Sequence, residues 1–176
     1  TGTSPKGAHF THNGEPVTQN TPVQFTGTAA FKAGGSGVHC TTVHIHAVLK
    51  AKGTGTVTKF EGTHCTTTGA NPGLPTHATP EGLPWTIDAA PGGVATINNV
   101  KIHNSVRHPL DTTIEIGTNT LTGEASAEIG GTDAILNVGP NGILVNHEVE
   151  AEVEGTLTIT KTGTEEHTDI GTAATP

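Results

Sequence analysis

A two-residue alternation of apolar and polar positions runs through most of the chain. Near its C-terminal end Val149, Ala151, Val153, Gly155, Leu157 and Ile159 fall on one side, while Glu150, Glu152, Glu154, Thr156, Thr158 and Thr160 fall on the other. This pattern predicts a strand with one face on a core and the other in water. Val23, Phe25, Gly27, Ala29 and Phe31 alternate in the same way before Gly34-Gly35-Ser36-Gly37 breaks the run. Further strands are predicted over 94–102, 112–116, 121–129, 134–138 and 143–147, with Gly117-Thr118-Asn119 and Gly139-Pro140-Asn141-Gly142 as turns. Between 66 and 91, Pro72, Pro75, Pro80, Pro84 and Pro91 remove ladder donors and predict a long crossover or loop. No segment has the period of a helix longer than a turn or two.

The two cysteines sit in a legible hairpin. Val43, Ile45, Ala47 and Leu49 alternate with Thr42, His44, His46 and Val48, Lys52-Gly53-Thr54-Gly55 supplies turn chemistry, and 56–61 resumes the extended pattern. A turn centred between Lys52 and Gly53 places Cys40 opposite Cys65 and Ile45 opposite Phe60 on the buried side. The outer side then carries His44 opposite Glu61 and His46 opposite Lys59. A Cys40–Cys65 disulfide is expected, adding about 3 kcal/mol by loop closure; the alternative is a pair of buried free thiols.

Composition sharpens the fold class. The 176 residues include 24 glycines, 11 prolines and 3% aromatics, and threonine supplies about a fifth of them, a bias toward β-branched strand formers. The expectation is an all-β, two-sheet antiparallel sandwich, Greek-key or jelly-roll-like, with no significant helix. One domain over 23–162 would follow an extended N-terminal segment, 1–22, and precede a polar C-terminal tail, 163–176. Its predicted core is Phe25, Ile45, Leu49, Phe60, Ile97, Val100, Leu136, Val153, Leu157 and Ile159, with Trp85 as the anchor. A formal charge of −8 argues against a nucleic-acid partner, and no apolar run approaches the roughly 20 residues of a membrane-spanning helix. The opening Thr1-Gly2-Thr3, without methionine, reads as a processed terminus after export, or equally as a trimmed chain.

The order Phe25-Thr26-Gly27-Thr28, a strand bearing Cys40, Gly55-Thr56-Val57-Thr58 leading to Cys65, and Gly82-Leu83-Pro84-Trp85-Thr86 resembles small secreted Thr/Gly-rich β-proteins of actinobacterial type. The similarity runs over about residues 23–103. It implies export, a cysteine bridge between neighbouring strands and a buried Trp85, and it brings no assigned activity or catalytic residue. The abundant histidine and the acidic strand at 148–154 depart from that pattern.

Histidine is the main candidate chemistry. His44 and His46 share a strand face at a spacing that suits copper or zinc if a neighbouring strand brings a third ligand, and Glu61 is nearest by register. Val43-His44-Ile45-His46 resembles the His-x-His copper strand of Cu/Zn superoxide dismutases, and Gly7-Ala8-His9-Phe10 another of their stretches, but that family places its His-x-His strand first. The alternative, which we prefer, is that the eleven histidines are polar surface residues and that there is no cofactor. Glu148, Glu150, Glu152 and Glu154 form an acidic comb without the Asp-rich loop calcium favours, so calcium is the lesser option. Ser4, Ser36, Ser105 and Ser126 lie outside any Gly-x-Ser-x-Gly elbow, and no enzyme is expected.

These readings favour a non-enzymatic, secreted protein of the cell surface that assembles with copies of itself into a fibre, pilus or surface layer by β-strand addition. Phe10 and Val17 would anchor the donated segment. The grounds are extended Thr-rich termini, an aromatic-poor core and few lysines to blunt strand edges. A monomeric secreted binding module, with a His-based metal site or a carbohydrate ligand, is the alternative. Protonating all eleven histidines moves the formal charge from −8 to about +3, so His44, His46 or His147 near the acidic comb would make association tighten in mild acid.

Overall fold

β-branched residues at a period of two build the chain almost wholly from strands: 76% of residues are strand and 2% are helix. The all-β, antiparallel, sandwich-like fold expected from the alternation is the one observed. The computed structural model describes residues 7–175 except His147 and the side chains of 139–141, so Thr1, Ser4 and His147, singled out above, lie outside the described residues. The strands are β1 (Ala8–His12), β2 (Glu15–Pro16), β3 (Thr21–Ala33), β4 (Ser36–Leu49), β5 (Thr54–Gly69), β6 (Pro75–Pro80), β7 (Trp85–Ala90), β8 (Val94–His108), β9 (Asp111–Gly130), β10 (Asp133–Val145), β11 (Val149–Lys161) and β12 (Ile170–Ala174). A 3-10 turn, Ala51–Gly53, joins β4 to β5.

Of the connectivities left open by the sequence, the chain uses neither the Greek-key nor the jelly-roll return. Strands β3 to β11 follow one another as a meander in which every sequence-neighbour pair but β6–β7 is hydrogen-bonded, and β11 then pairs with β3. The short β6 and β7 share one place in the wall, because β5 and β8 pair with β7 near one end and with β6 nearer the other. The result is a closed circuit eight strands around, the size whose interior is just filled by side chains or holds one small ligand. Two glycines permit the closure. A Cβ on Gly27 would overlap the Thr156 carbonyl oxygen, and one on Gly155 would overlap that of Thr28, so β3 and β11 meet more closely than side chains allow.

One end of the circuit is covered. β12, β1 and β2 form a small second sheet, with Ala8 opposite Ala174 and His12 opposite Ile170. It seats Ala8, Phe10, Val17 and Ile170 in the core, and Thr172 Oγ1 donates to the Ala90 carbonyl at 2.8 Å while accepting from Gly93 N at 3.0 Å. The terminal segments read as a free extended arm and a polar tail therefore contribute paired strands. Below the mouth half the core is tight: only about 20 Å³ of space remains among Phe25, Ile45, Ile87, Ile97, Leu136 and Leu157.

Three local expectations are corrected. Gly117-Thr118-Asn119 lies inside the twenty-residue β9, whose hairpin with β8 turns at 108–111 instead. The 139–142 stretch lies inside β10, where the register slips between Val138 and Ile143. The proline-rich stretch holds β6 and β7, with Pro75 and Pro80 at the ends of β6 and Pro84 just before β7, positions where a missing N–H costs little.

Candidate functional site

The uncovered end of the circuit opens into a cavity of about 480 Å³, within the roughly 300–1,000 Å³ common for small-molecule sites. It forms because the inward positions there are small or polar compared with the packed half. Phe31, Val38, Leu121 and Ala151 supply apolar wall, and Leu74, Val106 and Val145 stand nearer the rim. Ile116 and Val149, 49% and 47% exposed, complete the mouth with apolar surface that water covers when nothing else does. Among the described residues the only charged one lining the cavity is Lys32, whose Nζ lies 3.3 Å from Glu154 Oε1; both side chains are exposed.

The inner face of β8 reads Val100, Ile102, Asn104, Val106, and that of β9 reads Gly117, Asn119, Leu121. Register places Asn104 opposite Asn119, so two carboxamides meet beside Leu121 and Val106, and Ser36, Thr67, Thr68 and Asn71 add polar groups elsewhere in the lining. Asn104 Nδ2 donates to Asn119 Oδ1 at 2.9 Å. Asn104 is 1% exposed, and its Oδ1 has no hydrogen-bond partner. A buried acceptor left in that state costs about 1–3 kcal/mol.

A second depression, of about 460 Å³, lies on the outer wall over β3, β10 and β11. Its polar lining, Thr28, His39, Asn137, Glu154 and Thr156, is all exposed, so no group there is starved of water.

The sequence-predicted residues are distributed as follows. Cys40 and Cys65 are directly opposed and form a disulfide, with a Cα–Cα distance of 4.0 Å. Trp85 is 2% exposed at the start of β7, and its Nε1 donates to the Glu81 carbonyl at 2.9 Å. Its burial removes the one aromatic that could have served as a sugar platform. Phe10 and Val17 are buried within their own chain.

His44, His46 and Glu61 share the outer face of the β4–β5 hairpin in the expected register, His44 opposite Glu61 and His46 opposite Lys59. His44 Nδ1 lies 3.2 Å from Thr26 Oγ1, and Lys59 Nζ lies 3.9 Å from Glu61 Oε2. Among the described residues no group of three or more His, Cys, Asp or Glu is gathered closely enough to hold a metal ion. Glu150, Glu152 and Glu154 stand outward and exposed along β11.

Burial holds the His46 imidazole below its usual pKa, assisted by the Lys59 ammonium and by His44 and opposed by Glu61; Gln24 faces it from β3. A depressed histidine pKa means that the folded chain binds fewer protons than the unfolded one. The stability it contributes is present above pH 6.5 and is lost as the pH falls through the lowered value. Urea midpoints measured at pH 7.5 and 5.5 should therefore drop less in His46→Gln than in the native chain. An equal drop in both would place the acid sensitivity elsewhere.

Asn104 and Asn119 were not singled out from the sequence, although a signal was present. An asparagine at the third place of Val100, Ile102, Asn104, Val106 is a polar residue on an inward face, which calls for a partner. No known protein family, curated protein or solved structure matches the chain. Its class is therefore defined by its own geometry, as an antiparallel meander closed on itself, covered at one end and hollow at the other.

Proposed function

We propose that the protein is a secreted binding module that takes one small, largely apolar molecule into the open end of its strand circuit. The observation that carries this reading is a 480 Å³ cavity, more apolar than polar in its lining, one of whose lining residues, Asn104, is buried with its Oδ1 unpartnered. A mostly apolar cavity with a few polar groups is the usual design of a ligand site, in which apolar area supplies affinity and the polar groups fix orientation. The disulfide is compatible with an extracellular setting.

The test uses the neutral fluorophore N-phenyl-1-naphthylamine. Saturable, one-to-one fluorescence enhancement is expected. Gly117 faces the cavity, and a Cβ there meets nothing nearer than Val106 Cβ at 3.9 Å, so Gly117→Phe can fill the mouth without displacing backbone. That variant should lose most of the binding while keeping its far-ultraviolet dichroism. Binding that survives the substitution, or never saturates, overturns the reading.

Self-assembly by strand addition is the second reading, favoured by the position of β1 as a terminal strand seated over the covered end. A neighbouring copy's β1 would fit the same seat, exchanging an internal strand for an identical external one.

A further inference from the structure

Within the mouth cavity the Asn104–Asn119 pair lies near the floor, one inward position closer to the rim than Ile102 and Leu121. Asn104 Oδ1 has almost no accessible surface, so a ligand meets it only when the Asn104 side chain turns toward the cavity; there it offers an acceptor, and if both carboxamides turn over together the same place offers an Nδ2 donor. A hydroxyl satisfies either arrangement, since it donates and accepts, and a primary amide does the same. A carboxylate or an ammonium would enter without a counter-charge, because Lys32 is exposed and is paired with Glu154. The exposed apolar surface of Ile116 and Val149 at the other end suits the hydrocarbon body of the same molecule.

Resting on the binding reading above, we infer that the ligand is a neutral amphiphile. Its hydroxyl or primary amide end lies against Asn104, and its apolar body extends past Leu121 and Val106 to the mouth. The Asn pair then acts as a discriminator. A site built to hydrogen-bond one group rejects an analogue that leaves that group unpaired or brings an unpaired charge.

The experiment displaces bound N-phenyl-1-naphthylamine at pH 7 with three eight-carbon probes: 1-octanol, octanoate and octylammonium. 1-Octanol is expected to have an inhibition constant at least tenfold below those of the two ions, with inhibition constants corrected for the reporter's own affinity. In the double variant Asn104→Leu/Asn119→Leu, which removes both carboxamides so that neither is orphaned, 1-octanol should bind about tenfold more weakly, the equivalent of one neutral hydrogen bond. A melting temperature at or above that of the native chain would show that the double variant is folded. The single Asn104→Asp variant should reverse the preference toward octylammonium. Equal displacement by all three probes, or an unchanged 1-octanol constant in the double variant, overturns the inference. Reporter binding that 1-octanol does not displace leaves the binding reading standing and sinks this one. Absence of reporter binding sinks both.

Discussion

Trp85→Ala should destabilise the fold by about 3–5 kcal/mol, read as a lowered urea midpoint at unchanged slope. Four phenylalanines and one tryptophan are all the aromatic material the chain has, so each ring covers an unusual share of the core. Trp85 packs its ring 5.9 Å from that of Phe60 at an interplanar angle of 43°, across the junction where β5 meets the short β7. The truncation removes that contact, opens a void the size of an indole and leaves the Glu81 carbonyl without its donor at 2.9 Å. Total stabilities of about 5–15 kcal/mol leave little margin for such a loss. A change below about 1 kcal/mol would mean that the ring is not packed as described.

Removing residues 1–20 should be costlier still. The deletion takes Ala8, Phe10 and Val17 out of the core and strips β12 of its ladder from Ile170 to Ala174. Burying Phe10 and Val17 is worth about 1.5–3 kcal/mol each, and the exposed Ile170 adds to the deficit. The truncated chain is expected to be largely unfolded at 37 °C, with lost near-ultraviolet dichroism and a collapsed urea midpoint. A synthetic peptide of residues 7–20 added in excess should restore part of the signal, because the seat it left is formed by the rest of the chain. An unchanged midpoint without the peptide would remove the terminal sheet from the core. Failure of the peptide to bind would remove the basis for strand exchange between copies.

Legibility differed between local and distant pairings. The hairpin register from Cys40–Cys65 through His46–Lys59 was readable because one turn and strict alternation determine it; only the slip between His46 and Ala47 escaped, since a bulge leaves no mark in composition. The eleven predicted core side chains, from Phe25 to Ile159, are all buried, as period-two patterning requires. Glycine misled where it bends a strand instead of ending one, at Gly117 in β9 and at 139–142 in β10. Short β1 and β12 carry too little pattern to reveal that each is the other's partner from opposite ends of the chain. The cavity was invisible for a related reason: it depends on which inward positions share a level around the circuit, and that follows from closure, not from any one strand.

Closure also recasts the scarcity of basic residues. Only eight lysines and arginines are present, and in an open sheet that would leave edges unguarded against pairing with other chains. A wall whose last strand bonds to its first has far fewer such edges; among the described residues the unpaired sides include those of the five-residue β12, the two-residue β2, the 111–119 end of β9, which pairs with β8 alone, and the middle of β5, which pairs with β4 alone. The outward face is therefore released from most of that defensive duty. It can be covered by threonine, histidine and glutamate chosen for solvation alone, and substitutions there should be tolerated far more freely than on the inward face.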